Sequence, residues 1–423
     1  MHRSYSALAY GQVPVRDFAV AAEPPKVVSV ITRLNIGGPT MHMLLLAREM
    51  AALEYRTVLV AGSCEPEDGD MSYLLRAADS VRWVPELSRS VRPWRNLKAL
   101  WRLWRLLRRE RPAIVHTHTA MAGCLGRLAA VLSGVPIVIH TFHGNSLSEY
   151  FSRSRAGVFQ CVERLLACFT DALCVLSPQQ ATELSAKFHI APARKFRIVP
   201  LGLDLDDYFA LRPPPDNGPL TVGWFGRLVP VKNIALLAAT IENALQRSQD
   251  IRFVIAGDGP DRALLKGLLD RYGGRVEWLG WQRDILPAIA RCDVVLQTSR
   301  NEGTPVALIQ GMAAARPFVS TAVGGVVDMV SGMVGQASAC RAATGGARWY
   351  ANGVLVESDA AALAGTLKAL AESRLLVSRM GLAGRAFASR QYRKETLVAN
   401  LDALYRELLW KKKLGQPASG RNS

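Results

Sequence analysis

Apolar residues gather in short, nearly continuous runs separated by stretches of helical periodicity. KVVSVI (Lys26 to Ile31), RTVLVAG (Arg56 to Gly62), AIVHTH (Ala113 to His118), PIVIHT (Pro136 to Thr141), ALCVLS (Ala172 to Ser177) and FRIVPLG (Phe196 to Gly202) form a first set. Such runs fit parallel strands covered on both faces, which show no polar alternation. Pro213 to Pro215 and the following DNGPL then interrupt the pattern and predict a linker. The alternation restarts with TVGWFG (Thr221 to Gly226), RFVIAG (Arg252 to Gly257), VEWLG (Val276 to Gly280), DVVLQTS (Asp293 to Ser299), PFVSTAVGG (Pro317 to Gly325) and GVLVES (Gly353 to Ser358). Leu397, Leu401, Leu404 and Leu408 recur at helical spacing, so a packed helix is expected over Tyr392 to Lys412.

The pattern predicts an α/β chain with two Rossmann-like, doubly wound parallel-sheet domains in tandem. Residues 26–212 form the first and residues 220–391 the second, with the helix over 392–412 after them. Residues 1–25 are expected to be a flexible leader, because Arg16 and Asp17 interrupt any signal-like apolar core, and residues 413–423 a flexible tail. Ligands of such sheets bind outside the carboxyl ends of the strands, so the cleft between the domains is the expected site.

A length of 423 residues suits two domains. The balance of 52 basic against 35 acidic residues, a net +17, calls for an anionic partner: nucleic acid, an acidic membrane face or a phosphorylated ligand. No helix-turn-helix, RNP-type or zinc motif accompanies the charge, which argues against nucleic acid. Seven cysteines without a CxxC pair fit a reducing, cytoplasmic compartment. No apolar run approaches the roughly 20 residues of a membrane-spanning helix.

Five segments carry candidate chemistry. In GRLVPVKN, Arg227 and Lys232 follow a strand end, either as solvated cations or as a fork and a point charge for a diphosphate. In NEGTPVALIQGMA, Thr304 is a good N-cap and Pro305 a good first residue for a helix running to about Ala315. Its N-terminus, with Gly303 and Thr304, offers free N–H groups to an anion. Glu302 either supports that cap or accepts bonds from sugar hydroxyls, and Gln310 lies within reach of the same ligand. In NIGGPT, Gly37 and Gly38 make a tight turn or a phosphate contact. Five of the seven histidines lie between His42 and His143. His116, His118 and His140 read as satisfied core residues, and His143 as a cleft residue. With no HExxH and no cysteine partner, no metal site is expected.

The fifth segment is Trp94 to Arg111. Leu97, Leu100, Trp101, Trp104 and Leu107 share one helical face, and Arg95, Lys98, Arg102, Arg105 and Arg109 the other. Ten basic and two acidic residues fall between Arg82 and Arg111. The helix either packs its apolar face on the first sheet or contacts anionic lipid, with Trp101, Arg102, Trp104 and Arg105 as the contact residues.

NIGGP, HTFHG, SPQQATEL with IVPLGLDLDDY, GRLVPVKN, AGDGP and NEGTPVALIQGMA occur in an order that resembles the retaining glycosyltransferases of family 4, over Lys26 to about Leu409. The resemblance implies the GT-B fold, with the final helix crossing back to the first domain. It implies transfer of a sugar from a UDP- or GDP-sugar donor to a saccharide or lipid-linked acceptor, with retention, in polysaccharide or glycolipid synthesis. Arg227 and Lys232 would hold the donor diphosphate, Glu302 the sugar and Gln310 the ribose hydroxyls. Gly38 would let backbone approach the phosphates, and His143 would face the transferred sugar. No cofactor or metal is implied beyond the substrate, and the location implied is cytoplasmic, peripheral at the inner membrane face. Other readings on this fold are a nucleotide-sugar epimerase and a non-catalytic sugar-nucleotide-binding subunit.

Three features depart from the family pattern. Gln310 replaces a second glutamate, a loss of roughly 1–2 kcal/mol in a charge-assisted bond. Asn145 stands where related chains often have histidine. Residues 333–350 form an extra Gly- and Ala-rich segment, expected as a loop over the cleft.

Overall fold

A computed structural model describes residues 23–35, 37–64, 69–144, 153–332 and 346–412. Most of the expected leader, the whole tail, Asn145 and residues 333–345 lie outside the described residues. The first sheet contains β1 (Lys26–Ile31), β2 (Arg56–Ala61), β3 (Val81–Trp83), β4 (Ile114–His118), β5 (Ile137–Phe142), β6 (Ala172–Val175) and β7 (Phe196–Ile198). Its order is β3-β2-β1-β4-β5-β6-β7, all parallel. The second contains β8 (Leu220–Phe225), β9 (Ile251–Ala256), β10 (Val276–Trp278), β11 (Val294–Gln297), β12 (Phe318–Thr321), β13 (Arg348–Trp349) and β14 (Gly353–Val356). Its order is β10-β9-β8-β11-β12-β14-β13, parallel except for the antiparallel edge strand β13.

Every residue of β4 and β5 is buried, which is why these runs show no polar alternation. The short strands β3 and β13 escape the sequence reading: β3 is exposed at two of its three positions, and β13 is two residues long. In both sheets the strand order reverses beside the first strand, between β1 and β4 and between β8 and β11. Those two switch points open the crevices in which such sheets hold ligands.

The last helix, Lys394–Lys411, packs on the first domain. Leu397, Leu401, Leu404, Tyr405, Leu408 and Leu409 share a core with Val27, Met50, Ile114 and Ile139. Tyr55 Oη donates to Asp402 at 2.8 Å, and His116 Nδ1 lies 2.7 Å from Tyr405 Oη. The crossing point is stitched by backbone bonds on either side of Leu203, which donates to Tyr392 and accepts from Lys394. Beneath the helices of the first domain, Arg127 Nη2 reaches both oxygens of Glu163 at 2.8 and 2.7 Å, with both side chains fully buried.

The Pro93–Glu110 helix corrects the expected stripe. Ala99, Leu103 and Leu107 are the residues buried against β1, β2 and the Ala120–Leu132 helix. Leu97 and Trp101 turn outward instead, 55% and 50% exposed, beside Trp94 at 85%. Heptad-like spacing from Leu97 to Trp104 describes an apolar arc wider than one sheet can cover, so only part of it is buried. Trp104 is half-buried, Arg102 pairs with Glu86 at 2.7 Å, and the Arg105 guanidinium stacks 4.7 Å from the Trp101 ring. Among the described residues no helix is long and apolar enough to cross a membrane.

Candidate functional site

The carboxyl ends of β8 and β11 bring together residues 70 positions apart in the chain. Lys232 Nζ donates to Glu302 Oε1 at 2.6 Å, and Gln297 Nε2 and Ser299 Oγ donate to the same oxygen at 2.5 Å each. Thr298 Oγ1 donates to the Lys232 carbonyl at 3.0 Å, and Arg300 N to that of Val231 at 2.8 Å, so the two loops form one unit. Asn233, in the left-handed region at φ 54°, turns the chain into the next helix just after Lys232. Arg227 is exposed beside this unit and has no ion-pair partner among the described residues. A carboxylate held by three donors next to two cations can accept a hydroxyl while the cations meet an anion.

The helix after Glu302 differs from expectation. It runs over Val306–Ala313 with Pro305 at the N-cap position and no side-chain cap. Thr304 therefore does not cap it, and its Oγ1 is buried without a partner. The φ of Pro305, −71°, would suit a helix, but its ψ of 117° is extended, so the helix begins at Val306. Gln310 is buried, and its Nε2 donates to Tyr208 Oη at 2.8 Å, on the short Asp206–Ala210 helix.

The two domains meet closely here. A Cβ on Gly303 would lie 2.5 Å from the His143 carbonyl oxygen, and one on Gly325 would lie 1.8 Å from the Gly303 oxygen. Only glycine permits either approach. Gly38, which starts the Gly38–Ala52 helix directly after Gly37, approaches Val306 in the same way, at 3.3 Å. Gln179 N donates to Asp328 Oδ2 at 2.8 Å across the cleft, and Gln179, Gln180 and Glu183 line a crevice with Asn301, Glu302 and Gly303. Gly37, Gly38, His143, Glu302, Gly303 and Lys232 thus belong to one region. Gln297, Ser299, Gln179, Asp328 and Tyr208 were not singled out in the sequence, since single polar residues in strand ends and turns carry no spacing signal.

The histidines also converge. His116 bonds Tyr405 and Thr141 at 2.7 Å each, and His140 Nδ1 meets Thr117 Oγ1 at 2.9 Å, as satisfied core residues do. His118 Nδ1 instead meets His143 Nε2 at 2.9 Å. Burial pushes His42 down to about 4, and burial with the neighbouring charge of His42 pushes His116 down to about 3. His118, His140 and His143 lie well below the ordinary histidine value, first through burial and then through the repulsion that protonation would meet from the neighbouring rings and, for His140, from Arg127. All five rings are neutral near pH 7. One nitrogen from each of His42, His118 and His143 lies within 4.8 Å of the others, a grouping that the sequence reading did not foresee.

Residues 37–202 match the profile of a glycosyl transferase 4-like domain, and residues 219–373 that of glycosyl transferases group 1. A UDP-Gal:alpha-D-GlcNAc-diphosphoundecaprenol alpha-1,3-galactosyltransferase of Escherichia coli is 31% identical over 267 residues, covering 58% of this chain and 68% of that protein. Among solved structures, sucrose-phosphate synthase of Thermosynechococcus elongatus superposes with a TM-score of 0.74 at 19% identity, over 91% of this chain and 100% of the other. Anabaena HepE, solved with UDP-glucose, gives 0.67 at 19% identity over 90% and 99%. At those identities the structural likeness speaks for the fold, which is GT-B.

Proposed function

Because the chain belongs to the group 1 glycosyltransferases and is a transferase enzyme, we propose that it moves a hexose from a UDP- or GDP-sugar to a lipid-linked saccharide in glycan or glycolipid synthesis. The observation that carries this reading is the Lys232–Glu302 pair at the second sheet's switch point, facing Gly38 and His143 across the closed cleft. Lys232 and Arg227 neutralise the leaving diphosphate, with the N-terminus of the Gly38–Ala52 helix aimed at the same charge. These cations supply what a divalent ion supplies elsewhere, so the donor half works without one. Glu302, with Oε1 held by three donors, offers Oε2 to the donor sugar. His143, neutral at pH 7, accepts a bond from the sugar on the other side.

Transfer proceeds with retention. The C1–O bond to the diphosphate breaks, the acceptor hydroxyl oxygen bonds C1 from the same face, and its proton passes to the departing phosphate oxygen. The E. coli relative, named for a UDP-galactose donor and a diphosphoundecaprenol acceptor, supports a UDP-sugar and a lipid-linked acceptor. The exposed Trp94, Leu97 and Trp101 stripe, with Arg105 stacked on Trp101, supports a peripheral contact with an anionic, cytoplasmic membrane face.

A panel of UDP-, GDP- and ADP-sugars, offered with short-chain polyprenyl-diphosphate saccharides, tests the reading. A new α-linked product that disappears with Glu302→Ala is expected. Turnover to an isomerised free nucleotide sugar, or a β-linked product, would overturn it.

A further inference from the structure

A cavity of about 470 Å³ lies between the linker over 211–219 and the amino ends of β8 and β11. The Lys232–Glu302 pair stands at the carboxyl ends of the same sheet, a six-residue strand or about 20 Å away. Four arginines line the cavity, Arg212, Arg291, Arg316 and Arg374, against a single carboxylate, Asp293. Two of these arginines are buried and short of anionic partners. Arg316, 3% exposed, donates only to carbonyls: those of Ala290, Cys292 and Ala314, and that of Arg212 in the linker at 2.7 Å. Burial lowers its pKa from the ordinary arginine value. Arg374 opens the Arg374–Gln391 helix with its side chain 10% exposed. Its Nη2 meets Asp293 at 2.9 Å and the Pro215 carbonyl at 2.8 Å, while Nε and Nη1 are buried without a hydrogen-bond partner among the described residues. Asp293 is itself shared, since its other oxygen accepts from Thr221 N at 2.7 Å. Native interiors rarely leave buried donors unmet, and a buried cation calls for an anion.

We propose that this cavity is a site for the phosphate monoester of a small, sugar-sized molecule, held by Arg374, Arg212 and Arg291 between the linker and the second domain. A phosphate monoester brings close to two negative charges and three free oxygens, which suits three guanidinium groups converging from different elements. A carboxylate brings one charge and two oxygens in a plane. The volume lies within the range of about 300–1,000 Å³ usual for small-molecule sites, and a bare phosphate would leave most of it empty. Leu211, Pro213, Pro214 and Pro219 give the linker wall an apolar face for the body of the ligand. Arg212, Pro213 and Asn217 are exposed, so the cavity is reached from solvent without opening the catalytic cleft. Arg212 forms no ion pair among the described residues, so its charge is available to the ligand.

A ligand seated here touches the linker on one side and the second domain on the other, and so fixes the segment that joins the two sheets. Arg316 and Arg374 already hold that segment by the carbonyls of Arg212 and Pro215. The inference goes beyond sugar transfer and does not rest on it, because none of these arginines belongs to the catalytic cleft and binding is read without turnover.

The test titrates the full chain calorimetrically with glucose 6-phosphate at low salt, with and without saturating UDP and GDP to fill the donor site. Inorganic phosphate, glucose and citrate are titrated in parallel. One equivalent of glucose 6-phosphate should bind with the nucleotides present, more tightly than inorganic phosphate, and neither glucose nor citrate should displace it. Arg374→Met and Arg212→Met should each weaken binding at least about 10-fold, as loss of a charge-assisted bond does. Lys232→Met, at the donor cleft, should leave it unchanged. Displacement by the nucleotides, tighter binding of citrate, equal affinity for inorganic phosphate, or undiminished binding in the two folded arginine variants would each overturn the site. So would a wild-type chain that takes up neither phosphate. Should Arg374→Met unfold because Asp293 loses its partner, Arg212→Met, at an exposed linker side chain, decides.

Discussion

Lys232 and Glu302, separated by 70 residues in the chain, stand 2.6 Å apart, and neither is more than one-fifth exposed. The pair links the loop after β8 to the loop after β11. It also gives each partner a double role, because the cation that holds the carboxylate is the one proposed to meet the diphosphate. Lys232→Met should lower kcat/KM by about 100-fold or more, the usual loss for one preorganised charge contact in a transition state. Glu302→Gln should do the same, because Lys232 then loses its anion. Steady-state kinetics of both variants would show it. A double variant no worse than either single one would establish that they act as a unit.

Gln310 stands where the family resemblance implies a second glutamate. Its Nε2 donates to Tyr208 Oη, so the amide is committed to a buried contact between two helices. Gln310→Glu keeps that contact, because the phenol can donate instead. The added charge should strengthen a hydroxyl contact by about 1 kcal/mol, roughly a fivefold lower donor KM with kcat little changed. An unchanged KM would mean that residue 310 never meets the ribose.

Arg127 and Glu163 form a doubly bonded ion pair with no solvent exposure. Breaking one partner strands a buried charge. Glu163→Gln should therefore cost about 3–5 kcal/mol, while the apolar double variant Arg127→Met with Glu163→Leu should recover most of that loss. Denaturant melts of the three proteins would rank them wild type, double variant, single variant.

The outer face of the Pro93–Glu110 helix predicts lipid binding. Trp94→Glu with Trp101→Glu should abolish co-sedimentation with anionic vesicles. Arg105→Glu should weaken it about fivefold or more, since each basic residue near such a surface contributes roughly 1 kcal/mol. Arg102 is a poorer probe, because its reversal would instead break the ion pair with Glu86. Sedimentation unaffected by the tryptophan substitutions would remove the membrane contact.

Much of the fold was legible in the chain. Apolar runs buried on both faces mark the long strands, and Pro213 to Pro215 mark the break between the sheets, because these features are local. The ordered motifs GRLVPVKN and NEGTPVALIQGMA likewise placed Arg227, Lys232 and Glu302 at strand ends. Short or exposed strands such as β3 and β13 were not legible, because pairing with a neighbour, and not composition, makes them strands.

The sequence by itself determined two parallel sheets, their loops and the charged character of the strand ends that carry Arg227, Lys232 and Glu302. Tertiary structure alone decided which charges touch. It turned Trp101 outward although its spacing matched that of buried neighbours, since the sheet covers only part of a helical arc. It tied Gln310 to Tyr208 and Glu302 to Lys232, Gln297 and Ser299. It also gathered His42, His118 and His143 from three elements into one cluster. Periodicity reports which face of an element is apolar. Contacts between elements depend on how those faces are stacked, and no spacing along one element encodes that.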